Sequence, residues 1–493
     1  MNPRQAGVIA FLAGAATVLA YAPVGLYPLA LLTFGLLVHV WMTGSPRQCF
    51  LYGFWFGAGL FGGGVSWIYV SLSEFGGMQP ALAGIATVLF CAFIALFPAI
   101  AGWLQARIPA GAFVRACLLI PAAWTLAEWV RGWIFTGFPW LAAGYAAVGW
   151  PLQGYQPLGG VFLASFLTVA AAGLFWCLAR RERFFVSAFA LIAIIAAGEA
   201  LRHVAWTEPA GAPFDAALLQ GNVRQEMKFR PERYAQVLET YARLAEGTSA
   251  RLIVLPETAV PRYLDLVDSA YLARLAGIAR RNGGDLLLGV PFRQPPRDYY
   301  NSVVSLGTAP AQIYHKTHLV PFGEFIPPLF GWINNLIAIP LGDFSRGGPA
   351  QPPLAVAGQR VAVNVCYEDA FGDEIGARAR EATLLVNVSN VAWFGDSLAP
   401  SQHLQIARAR AIETGRMHLA ATNTGVTAAI DRDGAVLARL PSFTEGQLEV
   451  RAQGYTGATP YMRLGDWPIV VLCLLLLAAW VIVGIVSKIR GAT

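Results

Sequence analysis

Charge is what this sequence has least of. Its 493 residues hold 35 Lys and Arg against 29 Asp and Glu, so 13% are charged, where a soluble globular domain carries about 25%. That shortfall, with 56% hydrophobic residues and a mean hydropathy of +0.52, excludes a wholly soluble chain. The net charge of +6 is not a nucleic-acid footprint either. Arg4, Arg47, Arg107, Arg115, Arg180, Arg181, Arg183, Lys488 and Arg490 all flank apolar runs, as the positive-inside rule of membrane proteins requires. No nucleic-acid partner is expected. Cysteine is scarce too. Cys49, Cys91, Cys117, Cys177 and Cys473 lie in or beside apolar runs, which leaves Cys366 alone in the polar region with no disulfide partner there. His315 and His318 come without H-E-x-x-H or a cysteine cluster, so no metal site is expected. There is no G-x-S-x-G of a serine hydrolase, no internal repeat and no low-complexity segment.

What is abundant is apolar sequence. A membrane helix needs roughly 20 apolar residues. Candidate spans are 6–22, 26–43, 50–72, 81–105, 112–130, 157–179, 184–202 and 467–487. The last is clearest, whereas Arg115 and Glu128 interrupt the fifth. The first could be a cleaved signal peptide ending near Ala20-Tyr21-Ala22. Six further spans before the polar region favour a retained helix. The G-x-G-x-x-G at 57–62 follows no strand, so it is no dinucleotide site. Gly53/Gly57 and Gly59/Gly63 read instead as small-residue pairs for close helix packing. With a cytoplasmic N-terminus, the Arg-bearing loops at 47, 107–115 and 180–183 and the Lys488–Arg490 tail all face the cytoplasm. The expected division is seven transmembrane helices in 1–204, an extracytoplasmic domain in 205–465, and an eighth helix with a cytoplasmic tail in 466–493.

From 212 to 450 the pattern changes. Short β-like runs (216–220, 252–255, 286–290, 302–306, 361–365, 384–387) alternate with amphipathic stretches at 231–246, 268–282 and 400–416. That alternation predicts a layered α/β domain.

Three reactive side chains follow such runs, where α/β folds place their sites. Glu257 ends Leu252-Ile253-Val254-Leu255-Pro256-Glu257 and could be a general base, or simply a helix cap. Lys316 sits in a mostly apolar frame, eight residues before Glu324. It could bind an oxyanion, or be a surface lysine with a salt bridge. Cys366 follows the alternating Val361, Val363 and Val365 and precedes Tyr367, Glu368 and Asp369. A thiol at a strand-to-helix turn is exposed, and backbone N–H groups there can stabilise thiolate and oxyanion.

Glu, Lys and Cys in that order resemble the triad of the nitrilase superfamily. The likeness covers 212–450 and extends to Gln220-Gly221-Asn222, Tyr300-Asn301-Ser302 and Leu385-Val386-Asn387-Val388-Ser389-Asn390. With eight spans and the Val320-Pro321-Phe322-Gly323-Glu324 core, the chain resembles the bacterial apolipoprotein N-acyltransferase family over nearly its full length.

The resemblance implies a multi-span α-helical membrane domain plus an α/β nitrilase-like αββα sandwich, in the bacterial inner membrane with the catalytic domain on the periplasmic side. It implies ping-pong transfer of an acyl chain from a phospholipid, typically phosphatidylethanolamine, to the N-terminal amine of a diacylglyceryl-cysteine lipoprotein through a cysteine thioester. No cofactor is implied, and the working unit is a monomer. Cys366 is then the nucleophile, Glu257 the proton shuttle, and Lys316 with a backbone N–H near Tyr367 the oxyanion site. Glu324 orients Lys316 or the amine, and Tyr367 and Glu368 shape the pocket. Asn301 and Phe229 are expected at the substrate; Phe229 stands where the family often has Trp. The apolar, proline-broken segment 325–341 reads as a lid dipping into the outer leaflet, or as an oligomer contact. Trp393 and Phe394 read as a second lip, and Arg131 and Trp133 as headgroup contacts or interfacial anchors. The rival function is a membrane-tethered amidohydrolase with the same triad and water as acceptor.

Overall fold

The computed structural model describes residues 2–327 and 343–490. It divides into two units, one of residues 1–66, 84–204 and 464–493, the other of residues 67–83 and 205–463. Most of the segment expected as a lid, from residue 328 onward, lies outside the described residues.

The first unit is helical. Among the described residues six helices are long and apolar enough to cross a membrane: Pro3–Ala20, Pro80–Arg107, Ala112–Arg131, Pro151–Ala179, Phe184–Arg202 and Trp467–Val486. Tyr27–Thr43 is apolar but shorter. The third apolar run differs from its expected 50–72. Its helix, Pro46–Gly64, stops at Gly62-Gly63-Gly64, and the chain turns by 58° into Ile68–Phe75. Each glycine costs a helix about 1 kcal/mol relative to Ala, so the break falls there. The other glycines of that helix serve packing. A Cβ on Gly53 would lie 2.4 Å from the Pro98 carbonyl oxygen, and one on Gly59 2.1 Å from that of Phe11. Backbones approach this closely only where the side chain is absent. Arg131 is buried, and its Nη1 donates to the carbonyls of Phe138 and Trp140, both at 2.6 Å. It is therefore closed off from any headgroup, while Trp133 is exposed.

The second unit is built on two sheets. The first half of the region supplies β1 (Thr207–Gln220), β2 (Leu252–Val254), β3 (Asp285–Gln294), β4 (Asp298–Gly307) and β5 (Ile313–His315). The second half supplies β6 (Leu354–Val356), β7 (Gln359–Val365), β8 (Leu384–Ser389), β9 (His418–Thr422), β10 (Ala428–Ile430), β11 (Val436–Arg439) and β12 (Gly446–Gly457). One sheet runs β12-β1-β2-β3-β4-β5, the other β11-β10-β9-β8-β7-β6. Strands β1, β2 and β3 are mutually parallel, as are β7, β8 and β9.

The alternation of β7 shows how the layers form. Val361, Val363 and Val365 enter the core between the sheets with Leu218, Val254, Leu287 and Val386. Ala362, pointing the other way, meets Ile375 and Ala379 of the helix Gly372–Ala379. Each fully buried valine or leucine contributes about 1.5–3 kcal/mol. On the far face of the first sheet, helices Tyr234–Glu246 and Ser269–Arg281 bury Val237, Tyr241, Leu275 and Ile278 against Leu219, Ile253 and Leu286. The result is a four-layer αββα sandwich.

Residues 67–83 belong to this unit although they precede it by more than a hundred positions. The Trp67 Nε1–H donates to Gln402 Oε1 at 3.2 Å, and the Ser71 hydroxyl donates to the Trp393 carbonyl at 2.7 Å. The Trp67 ring packs edge-on against Phe394 at 4.6 Å, and Phe75 against Trp393 at 6.1 Å.

Candidate active site

The parallel strands deliver side chains to one end of the sandwich. Cys366 leaves β7 with a left-handed backbone, φ 55°, a conformation that costs about 1–3 kcal/mol in a non-glycine residue. Two side chains hold its carbonyl oxygen there. Asn387 Nδ2 donates to it at 3.2 Å, and His403 Nε2 lies at 3.2 Å. Asn387 stands opposite Asn364 in the β7–β8 register, and their amides hydrogen-bond.

Glu257 follows β2. Its Oε1 accepts from Asn301 Nδ2 at 2.6 Å, and its Oε2 from the Asn390 backbone N–H at 2.7 Å. Lys316 follows β5 and is 1% exposed. Its Nζ lies 2.8 Å from Glu324 Oε2 and 3.8 Å from Glu257 Oε1. Asn301, on β4, also donates to Glu324 Oε1 at 2.9 Å. One amide and one ammonium thus join two buried carboxylates, and Asn301 bridges them.

The electrostatics follow from burial and these partners. Burial opposes the charge of Lys316, but Glu324, Glu257 and Cys366 outweigh it and hold the ammonium well above its ordinary range. Burial pushes the Cys366 thiol well up and Glu257 adds to this, while Lys316 pulls it down. The resting thiol is therefore neutral at pH 7. A thiol in this state attacks a carbonyl only when a base removes its proton.

Glu368 is wholly buried. Its Oε1 accepts from the backbone N–H of Thr317 at 2.7 Å and of His318 at 3.2 Å, its Oε2 from that of Val365 at 2.7 Å, and both accept from the Tyr314 hydroxyl. It ties the Lys316 loop to the Cys366 turn. Tyr367 is half-buried, its ring near His318 and Phe371. His315 and His318 go separate ways. His315 Nδ1 pairs with Ser302 at 2.8 Å, and His318 Nδ1 with Glu374 at 2.8 Å. Phe229 is half-buried at the end of the short helix Gln225–Lys228. Trp393 and Phe394 lie in the turn Val391–Phe394, directly after Asn390, against residues 67–75.

Sequence reasoning missed several neighbours. Asn387 and Asn390 lay in a motif already noted, but their partners are remote: Asn390 and Glu257 are 133 positions apart. Lys228 is 1% exposed with its Nζ 3.1 Å from the Glu257 main-chain oxygen. Its only sequence signal was adjacency to Phe229.

Comparisons agree along both halves of the chain. Residues 13–174 match the family described as the apolipoprotein N-acyltransferase N-terminal domain, and residues 215–461 match carbon-nitrogen hydrolase. The apolipoprotein N-acyltransferase of Nitrosomonas europaea is 49% identical over 97% of this chain and 97% of its own length. That of Methylococcus capsulatus is 44% identical over 95% of this chain and 94% of its own. Among solved structures, the C. elegans NitFhit protein is similar at 17% identity and a TM-score of 0.40, covering 50% of this chain and 61% of that one. Matched along both halves and at nearly half identity from end to end, the chain belongs to the apolipoprotein N-acyltransferase family.

Proposed function

We propose that the protein transfers an acyl chain from a phospholipid to the N-terminal amine of diacylglyceryl-cysteine lipoproteins through a thioester on Cys366. The observation that carries the reading is the convergence of Glu257, Lys316 and Cys366 at the ends of three strands of one unit, in a chain of this family. In the first half-reaction the Cys366 sulfur attacks the ester carbonyl and Glu257 takes the thiol proton. The charge that develops on the carbonyl oxygen is met by Lys316 and the Tyr367 backbone N–H. The acyl C–O bond then breaks, and Glu257 returns the proton to the departing lysophospholipid oxygen. In the second half the lipoprotein amine attacks the thioester, Glu257 accepts its proton, and as the C–S bond breaks Glu257 passes that proton to the departing sulfur, regenerating the thiol and the free carboxylate. Glu324 orients Lys316, to which it is bonded at both oxygens, and Asn301 and Glu368 hold the frame. Phe229, Trp393 and Phe394 line the approach of the acyl chains.

The Arg-flanked helices support residence in a bacterial inner membrane with residues 205–463 on the periplasmic side. One chain furnishes every residue of the site, which supports a monomer as the working unit. The test is intact-protein mass spectrometry after incubation with phosphatidylethanolamine vesicles, with Cys366→Ala alongside. A gain of one acyl chain on wild type alone, discharged by a diacylated lipopeptide, is expected. Discharge by water alone would make the protein an amidohydrolase-like hydrolase, and absence of any adduct would end the acyl-enzyme reading.

A further inference from the structure

We propose that Lys228 is the second cation of the active site, a positioning residue that acts through Glu257 by holding its turn and by balancing the second of two buried carboxylates. The proposal rests on Glu257 being the base of the reaction above. Lysine is almost never fully buried unless paired, yet Lys228 is 1% exposed. Its Nζ donates to the Glu257 main-chain oxygen at 3.1 Å, and the ionisable groups it faces are Glu257 and Cys366.

The charge count gives the reason. Glu257 and Glu324 are both buried and share the amide of Asn301. Lys316 lies 2.8 Å from Glu324 but 3.8 Å from Glu257, so it serves chiefly Glu324. Two carboxylates sharing one cation would drive a proton onto one of them, and a protonated Glu257 cannot accept the thiol proton. Neighbouring charges do not fill the gap. Glu368 lies 3.8 Å from Arg378, and Asp369 lies 3.0 Å from His418 and 3.7 Å from His403. His403 also faces Glu257, but burial holds its imidazole below the ordinary range, so it is neutral. With Lys228 the site holds two carboxylates and two ammonium groups. Burial lowers Lys228 to about 8, and the neighbouring Glu257 opposes that fall.

The experiment is the pH dependence of Cys366 alkylation by iodoacetamide, followed on the Cys366 peptide by mass spectrometry, using full-length protein in detergent. The acidic inflection reports the first proton lost by the coupled Glu257–Cys366 pair. Lys228→Met is expected to raise that inflection by about one pH unit or more, and Lys228→Arg to leave it near wild type. The double variant K228M/E324Q, whose buried charges match again, is expected to bring it back. A merely structural clip would not move the inflection. A folded Lys228→Met protein with the wild-type inflection would overturn the proposal. So would failure of both Lys228→Met and the double variant to fold, which would make Lys228 a folding residue. The probe needs no lipid, so wild-type protein that forms no acyl adduct would refute the acyltransfer reading without touching this result.

Discussion

Replacing Glu368 with Gln would separate the joint of the active site from its chemistry. The carboxylate accepts from four donors on two segments of the chain, the N–H groups of Thr317, His318 and Val365 and the Tyr314 hydroxyl. A glutamine has the same shape but one donor end. Turned one way it faces the Val365 N–H with its own N–H; turned the other way it faces those of Thr317 and His318. The cheaper choice leaves one buried donor unsatisfied, costing about 1–3 kcal/mol, and replaces charge-assisted bonds with weaker neutral ones. We expect a loss of about 3 kcal/mol for Glu368→Gln and roughly twice that for Glu368→Ala, which takes the acceptor from the three backbone N–H groups while the Tyr314 hydroxyl keeps Thr317 Oγ1 at 3.0 Å. For a unit of this size that lowers the unfolding midpoint by about 6–12 °C, measurable by tryptophan fluorescence in detergent. Lys316 and Cys366 would also lose their common anchor. Because a displacement of about 1 Å can cost on the order of a hundredfold, the single-turnover rate of Cys366 acylation should fall by about that factor. An unchanged midpoint with acylation within about threefold of wild type would refute the reasoning, since the rate anchor and the stability anchor are the same five contacts.

Other outcomes follow from the same structure. Gly59→Ala places a methyl group 2.1 Å from the Phe11 carbonyl oxygen, whereas a Cβ on Gly62 meets nothing within 4 Å. The first should destabilise the helical unit by about 1–3 kcal/mol and the second should not, as read by thermal aggregation in detergent; equal behaviour would sink the packing argument. Burial holds His403 and His315 below the ordinary histidine range, so the unfolded chain binds protons that the folded one refuses. Stability of the second unit should therefore fall as pH drops below about 6.5, and His403→Gln should flatten the slope of midpoint against pH. Trp67→Ala removes an edge-on contact to Phe394 and the donor to Gln402. Acylation by phospholipid should drop about tenfold, on the scale of an aromatic pair plus a hydrogen bond, while iodoacetamide alkylation of Cys366 stays unchanged; a parallel loss of both would mean a general collapse.

The second unit was largely legible because its signals are local. The β7 alternation has a single solution, valines inward and Ala362 outward, and Glu257 and Cys366 stand just beyond the runs 252–255 and 361–365, whereas the short β5 that precedes Lys316 is too brief to read as a run. What escaped depended on distance in the chain. Asn390 reaches Glu257 with a backbone N–H, a group that every residue but proline has and that no motif can mark. Lys228 looks like any lysine beside an aromatic until the Glu257 carbonyl is set against it. Arg131, after the fifth apolar run, reads as a headgroup contact or an interfacial anchor, but the carbonyls of Phe138 and Trp140 claim it first. Hydropathy carries the third apolar run to residue 72 because leucine and valine score alike on either side of a break that three glycines make.

The segment 67–83 bears on how such an enzyme can be taken apart. The carbon-nitrogen hydrolase match begins at residue 215, which invites a cut there to free a soluble catalyst. The compact body begins earlier, because Trp67, Ser71 and Phe75 form the backing of Trp393 and Phe394. A fragment of 205–463 would expose those two rings to water and leave Gln402 without its indole donor. Recombination that exchanged the second unit at the sequence boundary would meet the same defect, keeping Glu257, Lys316 and Cys366 but losing the backing of Trp393 and Phe394. The boundary that inheritance marks and the boundary that folding respects differ here by one short helical segment from the other end of the chain.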